Sequence, residues 1–272
     1  MGVFLLLPAG IWLFFLLVLP VLIIAQLSLV PNIRPGMVVN PSGIDNYLTG
    51  LQPLYLQVIG RSLLLAAVTT VGCLGLGFPV AYWLGRRQNN LLLLVFVLPL
   101  WTSSLLRSYA WISILRPTGV VNLGLAWLGL PAVQILNQPA AVVVGMIHSY
   151  LPFMILVLYA AIAKLDRRVL EAAADLGANP IQVFCDVVVP QVRPGVIAGS
   201  LLVFAAALGD FVNPELLGGA ASMTVARLIY NQFLGATQNW GFGSALSMFL
   251  VTAVSIAVAL VLRYGDRSAI SN

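Results

Sequence analysis

Long uncharged apolar runs, rather than the alternation of half-buried strands, dominate the chain, and charged or turn-forming residues punctuate them. A helix rises about 1.5 Å per residue and a bilayer core is about 30 Å thick, so about 20 apolar residues suffice to cross it. Six stretches reach that length, at about 3–29, 62–85, 91–114, 139–163, 194–213 and 242–262. The pattern predicts an all-α integral membrane protein with six transmembrane helices. The first run is too long for a signal peptide, lacks a basic n-region and has no small-x-small cleavage site before Pro31, so a retained helix is expected. A further uncharged run, 118–138, is interrupted by Asn122, Pro131, Gln134, Asn137 and Gln138. It is expected as an interfacial helix or re-entrant segment on the outer side.

Composition narrows the class. The 272 residues include 13 basic and 8 acidic ones, 8% charged against roughly a quarter in an average soluble domain. With 61% hydrophobic residues and a mean hydropathy of +1.02, the polar groups could not cover a water-facing surface. A soluble globule, a disordered chain, a collagen-like repeat and a nucleic-acid binder are excluded together. The basic excess then becomes a question of sidedness. Arg86 and Arg87 fall in one loop, Lys164, Arg167, Arg168 and Arg193 in another, and Arg263 and Arg267 in the tail. Six helices put all three places on one face, which the positive-inside rule makes cytoplasmic, with both termini there too. A seventh helix at 118–138 would destroy that bias.

No chemistry of an enzyme is visible. Gly72, Gly75 and Gly77 read G-x-x-G-x-G inside an uncharged helix, an order that suits close helix packing and not a nucleotide loop. The sole lysine, Lys164, follows Ala-Ile-Ala, so no Walker A motif exists. His148 lies mid-helix in the fourth run and is expected as a hydrogen-bonded interior group, with a pathway role as the alternative. Cys73 and Cys185 are expected as small apolar fillers, and neither a catalytic set nor a metal-ligand cluster appears.

The segment 164–193 is too polar to span and too helical in pattern to be a linker. Leu170-Glu171-Ala172-Ala173-Ala174-Asp175-Leu176-Gly177 predicts a short helix ended by a glycine able to take the left-handed conformation. Asn179-Pro180 opens a second helix, expected over 181–189 and stopped by Pro190. The alanines at 172–174 present little bulk, which suits insertion into a partner's groove.

Glu171-Ala172-Ala173, Gly177, and Val187-Val188-Val189-Pro190 resemble the EAA loop of type I ABC importer permeases, with Val-x-Val-Pro where that family shows Ile-x-Leu-Pro. The resemblance covers nearly the whole chain and implies one permease domain over 1–272, its core at about 58–263. It gives the 164–193 loop the role of docking a separate ATPase through Leu170, Glu171, Ala172, Ala173, Asp175, Leu176, Gly177 and Ala178, with Pro190 closing the motif. It further implies two ATPase subunits that hold the ATP and magnesium, a second permease (a paralogue, or a copy of this chain), an extracytoplasmic binding protein, and a bacterial inner-membrane location. No cofactor is expected in this chain. The stretches 99–111 and 208–219 look like segments of spermidine/putrescine permeases, although permeases for iron, thiamine and aminoethylphosphonate are related.

The residues themselves give a separate indication of the cargo. Asp210 breaks an apolar run, with Asn213 and Glu215 close behind it. A carboxylate at such depth must be paired, watered, or facing a cation, so it is expected either to meet cationic cargo or to pair with Arg107 or Arg227. Ser104, Trp101, Tyr109 and Trp111 are further pathway candidates, the aromatic ones through cation–π contact or simply as headgroup-level anchors. Pro214 and Gly218-Gly219 are expected to make the end of the fifth helix breakable, as a gate requires. An ion-driven transporter using Asp210 and His148 as a proton relay is the rival reading, and it gives no reason for the alanine-rich helix pair.

Overall fold

The computed structural model describes residues 2–31, 33, 36–37, 43–87, 90–235 and 238–265. Helices α1 (Gly2–Ser28), α2 (Asp45–Gly50), α3 (Pro53–Arg87), α4 (Asn90–Val97), α5 (Ser104–Leu115), α6 (Val120–Trp127) and α7 (Pro139–Ile162) make up the first part. There follow α8 (Arg167–Asp175), α9 (Pro180–Gln182), α10 (Val189–Leu208), α11 (Val212–Leu217), α12 (Val225–Leu234) and α13 (Trp240–Gly265). No strand occurs among the described residues. Five helical segments are long and apolar enough to cross a bilayer, six when Leu91–Trp101 and Ser104–Trp127 are taken as one broken span. Arg267, counted above in the basic tail, lies outside the described residues.

Two compact units form, 1–60 with 224–257 and 61–223 with 258–272. In the first, Asn46 Nδ2 donates to the carbonyls of Ser28 and Val30 at 2.9 and 3.0 Å, tying α2 to the end of α1. Tyr47 stacks edge-on against Phe249 of α13 with centroids 5.4 Å apart. In the second unit the core lies between α3, α7 and α10, where Ala81, Leu84, Met154, Leu158, Val192 and Val203 are buried. Small residues let these helices approach. A Cβ on Gly72 would stand 2.5 Å from Ile147 Cδ1, and one on Gly77 would stand 3.2 Å from Met154 Cγ, while Gly75 faces open space.

Five expectations need correction. The third span is not straight: its two halves meet at 89°, because Pro99 offers no N–H and Thr102 and Ser103 adopt extended backbone. Helix 181–189 does not stop at Pro190. The chain stays helical from Pro180 through Leu208, with one wide π-type turn at Val183–Val188. There the Val189 N–H reaches back five residues to Phe184 O, which makes room for the ring of Pro190 on the next turn. The fifth span ends at Leu208 rather than 213, and the break falls at 209–211, before Pro214. Pro214 sits in the first turn of α11, where an N–H would have no helical partner in any case. Finally, His148 is exposed beside Trp111, ring centroids 5.6 Å apart, and Cys185 is exposed while Cys73 is buried.

Candidate functional site

Two places in the second unit gather the residues singled out above. At the loop between α7 and α10, Asp166 caps α8 by accepting the Arg168 N–H at 2.9 Å. The helix ends in a Schellman turn: Gly177 N–H donates to Ala174 O at 2.9 Å and Ala178 N–H to Ala173 O at 3.1 Å, with Gly177 at φ +86°. Asn179 and Gln182 then form a capping box, each side chain accepting the other's backbone N–H at 2.9 Å, with Pro180 at the first helical position. Asp166 thus caps the start of α8, and two consecutive local devices, the Schellman turn and the capping box, join its end to α9. Among the described residues of α8, Leu170 packs against the core cluster, and it borders two cavities of about 180 and 160 Å³. Glu171 lines the larger one with Tyr82 and Arg86. Ala172, Asp175, Leu176 and Gly177 are exposed, as is Ile181. Leu176 is 89% and Ile181 74% exposed.

The second place is a cavity of about 220 Å³ lined by Ser104 and Arg107 of α5, Ser149, Tyr150 and Phe153 of α7, and residues 209–213. Asp210 sits in its wall, 8% exposed. Its Oδ1 accepts the N–H groups of Val212 at 2.9 Å and Asn213 at 3.2 Å, and Oδ2 accepts Asn213 Nδ2 at 2.6 Å. The carboxylate thus starts α11, and its oxygens are met by amide N–H groups and by the Tyr150 hydroxyl. Arg107 lines the same cavity but donates from Nη1 to Pro99 O at 2.6 Å, across the bend of the broken span. Its Nε is buried without a hydrogen-bond partner among the described residues. The Tyr150 hydroxyl also has Ala206 O in reach at 3.2 Å.

The structure therefore brings together Ser104, Arg107, Asp210 and Asn213, and leaves out other candidates. Glu215 is half-buried on α11 and does not line the cavity. Trp101 and Tyr109 are exposed, 77% and 57%, and Trp111 packs against His148. Sequence reasoning missed Ser149, Tyr150 and Phe153. Their positions at i, i+1 and i+4 on one helix, with two polar groups inside an apolar run, carried the available signal.

Long apolar helices, a broken span, a capped loop helix and a polar cavity lined by α5, α7 and residues 209–213 describe a polytopic membrane protein. Residues 73–268 match the family described as "Binding-protein-dependent transport system inner membrane component", and the chain belongs to it. Among its relatives is the "Spermidine/putrescine transport system permease protein PotB" of Haemophilus influenzae, 40% identical over 257 residues that cover 93% of this chain and 90% of that one. The protein of the same name from Escherichia coli is 37% identical with 93% of both chains covered. A bacterial alginate ABC transporter, solved in complex with an alginate pentasaccharide-bound periplasmic protein, shares the fold with a TM-score of 0.81 at 20% identity, covering 97% of this chain and 93% of that one. The chain is a type I ABC importer permease of the inner membrane, a transport subunit, with ATP hydrolysis in a separate chain.

Proposed function

We infer that the cargo of this importer is a polyamine of the spermidine/putrescine type. The observation that carries the reading is the 37–40% identity, over 93% of the chain, to permeases named for that cargo. The cavity around Asp210 supports it, since a carboxylate with Tyr150, Phe153 and Phe211 beside it offers charge and ring faces to an alkylammonium. Two unit charges 4 Å apart attract by about 1 kcal/mol in water and by about 4 kcal/mol at the effective dielectric near a protein surface, so the attraction grows as water is excluded.

The loop from Leu170 to Ala178, together with the Pro190 that follows the π turn, is assigned to the ATPase. Its support is the exposed Leu176 and Ile181 on a locally locked frame. That loop and both termini lie on the cytoplasmic side in this reading, and two ATPases, a paralogous second permease and a binding protein complete the importer. A second reading has one observation in its favour: Arg107 shares the cavity with Asp210, which suits a zwitterion such as aminoethylphosphonate. The test is uptake into proteoliposomes holding the complete complex and its binding protein, with labelled spermidine, putrescine, aminoethylphosphonate, thiamine and iron offered in turn. Polyamine uptake that the others do not compete away is expected. Transport of another solute without polyamine uptake would overturn the assignment.

A further inference from the structure

Ser108 on α5 has one hydroxyl proton and two acceptors in reach: the Ser104 carbonyl of its own helix at 3.0 Å and Asn213 Oδ1 at 3.1 Å on α11. Both side chains are sealed from solvent, Ser108 1% and Asn213 2% exposed. The polarity of the Asn213 amide is set by Asp210. Because Nδ2 donates to the carboxylate at 2.6 Å, Oδ1 must point the other way, towards the hydroxyl. A hydrogen-bonded chain from Asp210 through Asn213 to Ser108 therefore joins the break after α10 to the second half of the broken span.

The packing around this chain is cut to fit it. A Cβ on Gly145 of α7 would stand 2.6 Å from Asn213 Oδ1 and 2.5 Å from Leu217 Cδ1, so α11 can lie where it does only against a bare backbone. The other end of α11 is seated by Leu217, fully buried with Val142 and Met146, and by the Asn137 N–H donating to Leu217 O at 2.9 Å. Eleven neighbouring positions, 207–217, thus carry a break, a short helix and the Asn213–Ser108 tie to α5, next to the cavity.

We propose that Asp210, Asn213 and Ser108 form a latch for the transport cycle. With the Ser108 proton on Asn213, α11 is seated on α5 and α7; with the proton turned back to Ser104 O, α11 is free to leave. The hydroxyl keeps a hydrogen bond in both positions, and the vacated Asn213 oxygen opens onto a polar cavity where water can meet it, so neither state strands a buried donor. Asp210 is in this account a positioning residue: it holds the Asn213 amide in the orientation that Ser108 reads. The proposal rests on the permease assignment and not on the identity of the cargo.

ATP hydrolysis by the complete complex, measured without binding protein and without cargo, tests it independently of any cargo assignment. Ser108→Ala removes the tie while leaving the Asp210 cap intact, and Gly145→Ala presses α11 off from the opposite side. Each is expected to raise this idle hydrolysis at least threefold, with the KM for transported cargo within twofold of the parent. Spin labels at positions 105 and 216, on α5 and α11, should show two separations across the ATP cycle, with Ser108→Ala shifting the resting protein towards the longer one. One separation throughout the cycle, or unchanged hydrolysis in both variants, would overturn the latch. So would a raised KM with unchanged hydrolysis, which would make these residues cargo ligands instead.

Discussion

The loop around α8 and the cavity around Asp210 are both built from short helices with capped ends, yet they are held by opposite means. Around α8 every fixing hydrogen bond spans two to five residues: Asp166 to Arg168, Gly177 to Ala174, Ala178 to Ala173, Asn179 to Gln182. Around Asp210 the local cap is only the first link, and the next joins residues 105 positions apart. The loop is consequently a stiff body that presents exposed Leu176 and Ile181, touching the core through Leu170 between two cavities. The cavity wall is a hinged body whose geometry depends on which neighbour a single hydroxyl chooses. Stiffness suits a part that must transmit force, and a tie with two resting positions suits a part that must move.

Breaking the stiff body should have the largest effect. Gly177→Val forces a β-branched residue to φ +86°, a conformation costing on the order of 1–3 kcal/mol, and removes the turn that orients α8 against α9. ATPase co-purification should be lost and uptake should fall to background, while retained association would show that the ATPase does not read this frame. Next comes Asp210→Ala, which strands three N–H groups at about 1–3 kcal/mol for a buried unmet donor. Uptake should drop roughly ten- to a hundredfold with assembly intact by size exclusion. Full activity would reduce Asp210 to a dispensable cap.

Asn179→Ala sharpens the comparison at lower cost. Loss of one capping box is worth about 1 kcal/mol, so a two- to fivefold fall in uptake is expected, together with faster amide hydrogen exchange across residues 176–183. Uptake at background in Asn179→Ala, with uptake retained in Gly177→Val, would reverse the roles of the two caps. Smallest of all should be Trp101→Phe, since that ring is 77% exposed and outside the cavity lining. Uptake within twofold of the parent is the expected result, and a strong loss would place Trp101 on the route after all.

The loop was legible in the text of the chain for the reason that makes it stiff. Asn-Pro, a glycine after an alanine helix, and Glu-Ala-Ala are signals whose partners sit within five residues, so spacing alone specifies them. Pro190 was misread as a stop because a proline's clash falls on the preceding turn, and that turn was free to widen around Phe184, whose ring is seated edge-on against Phe78 and Tyr82 at 5.3 and 5.4 Å. The bend at 98–103 was hidden for a similar reason: the Arg107 side chain bridges it, and no periodicity records a side chain folding back on its own helix.

By itself the sequence determined the solvent, the number of apolar runs and the capped loop, because hydropathy and short-range hydrogen bonds depend only on which residues are near in the chain. The tertiary structure decided which groups meet Asp210 within the chain. Depth in an apolar run established that this carboxylate needs partners, but whether they would be a cation, an arginine or the start of a broken helix depended on where α5, α7 and α11 cross, and on Gly145 leaving room for them to meet.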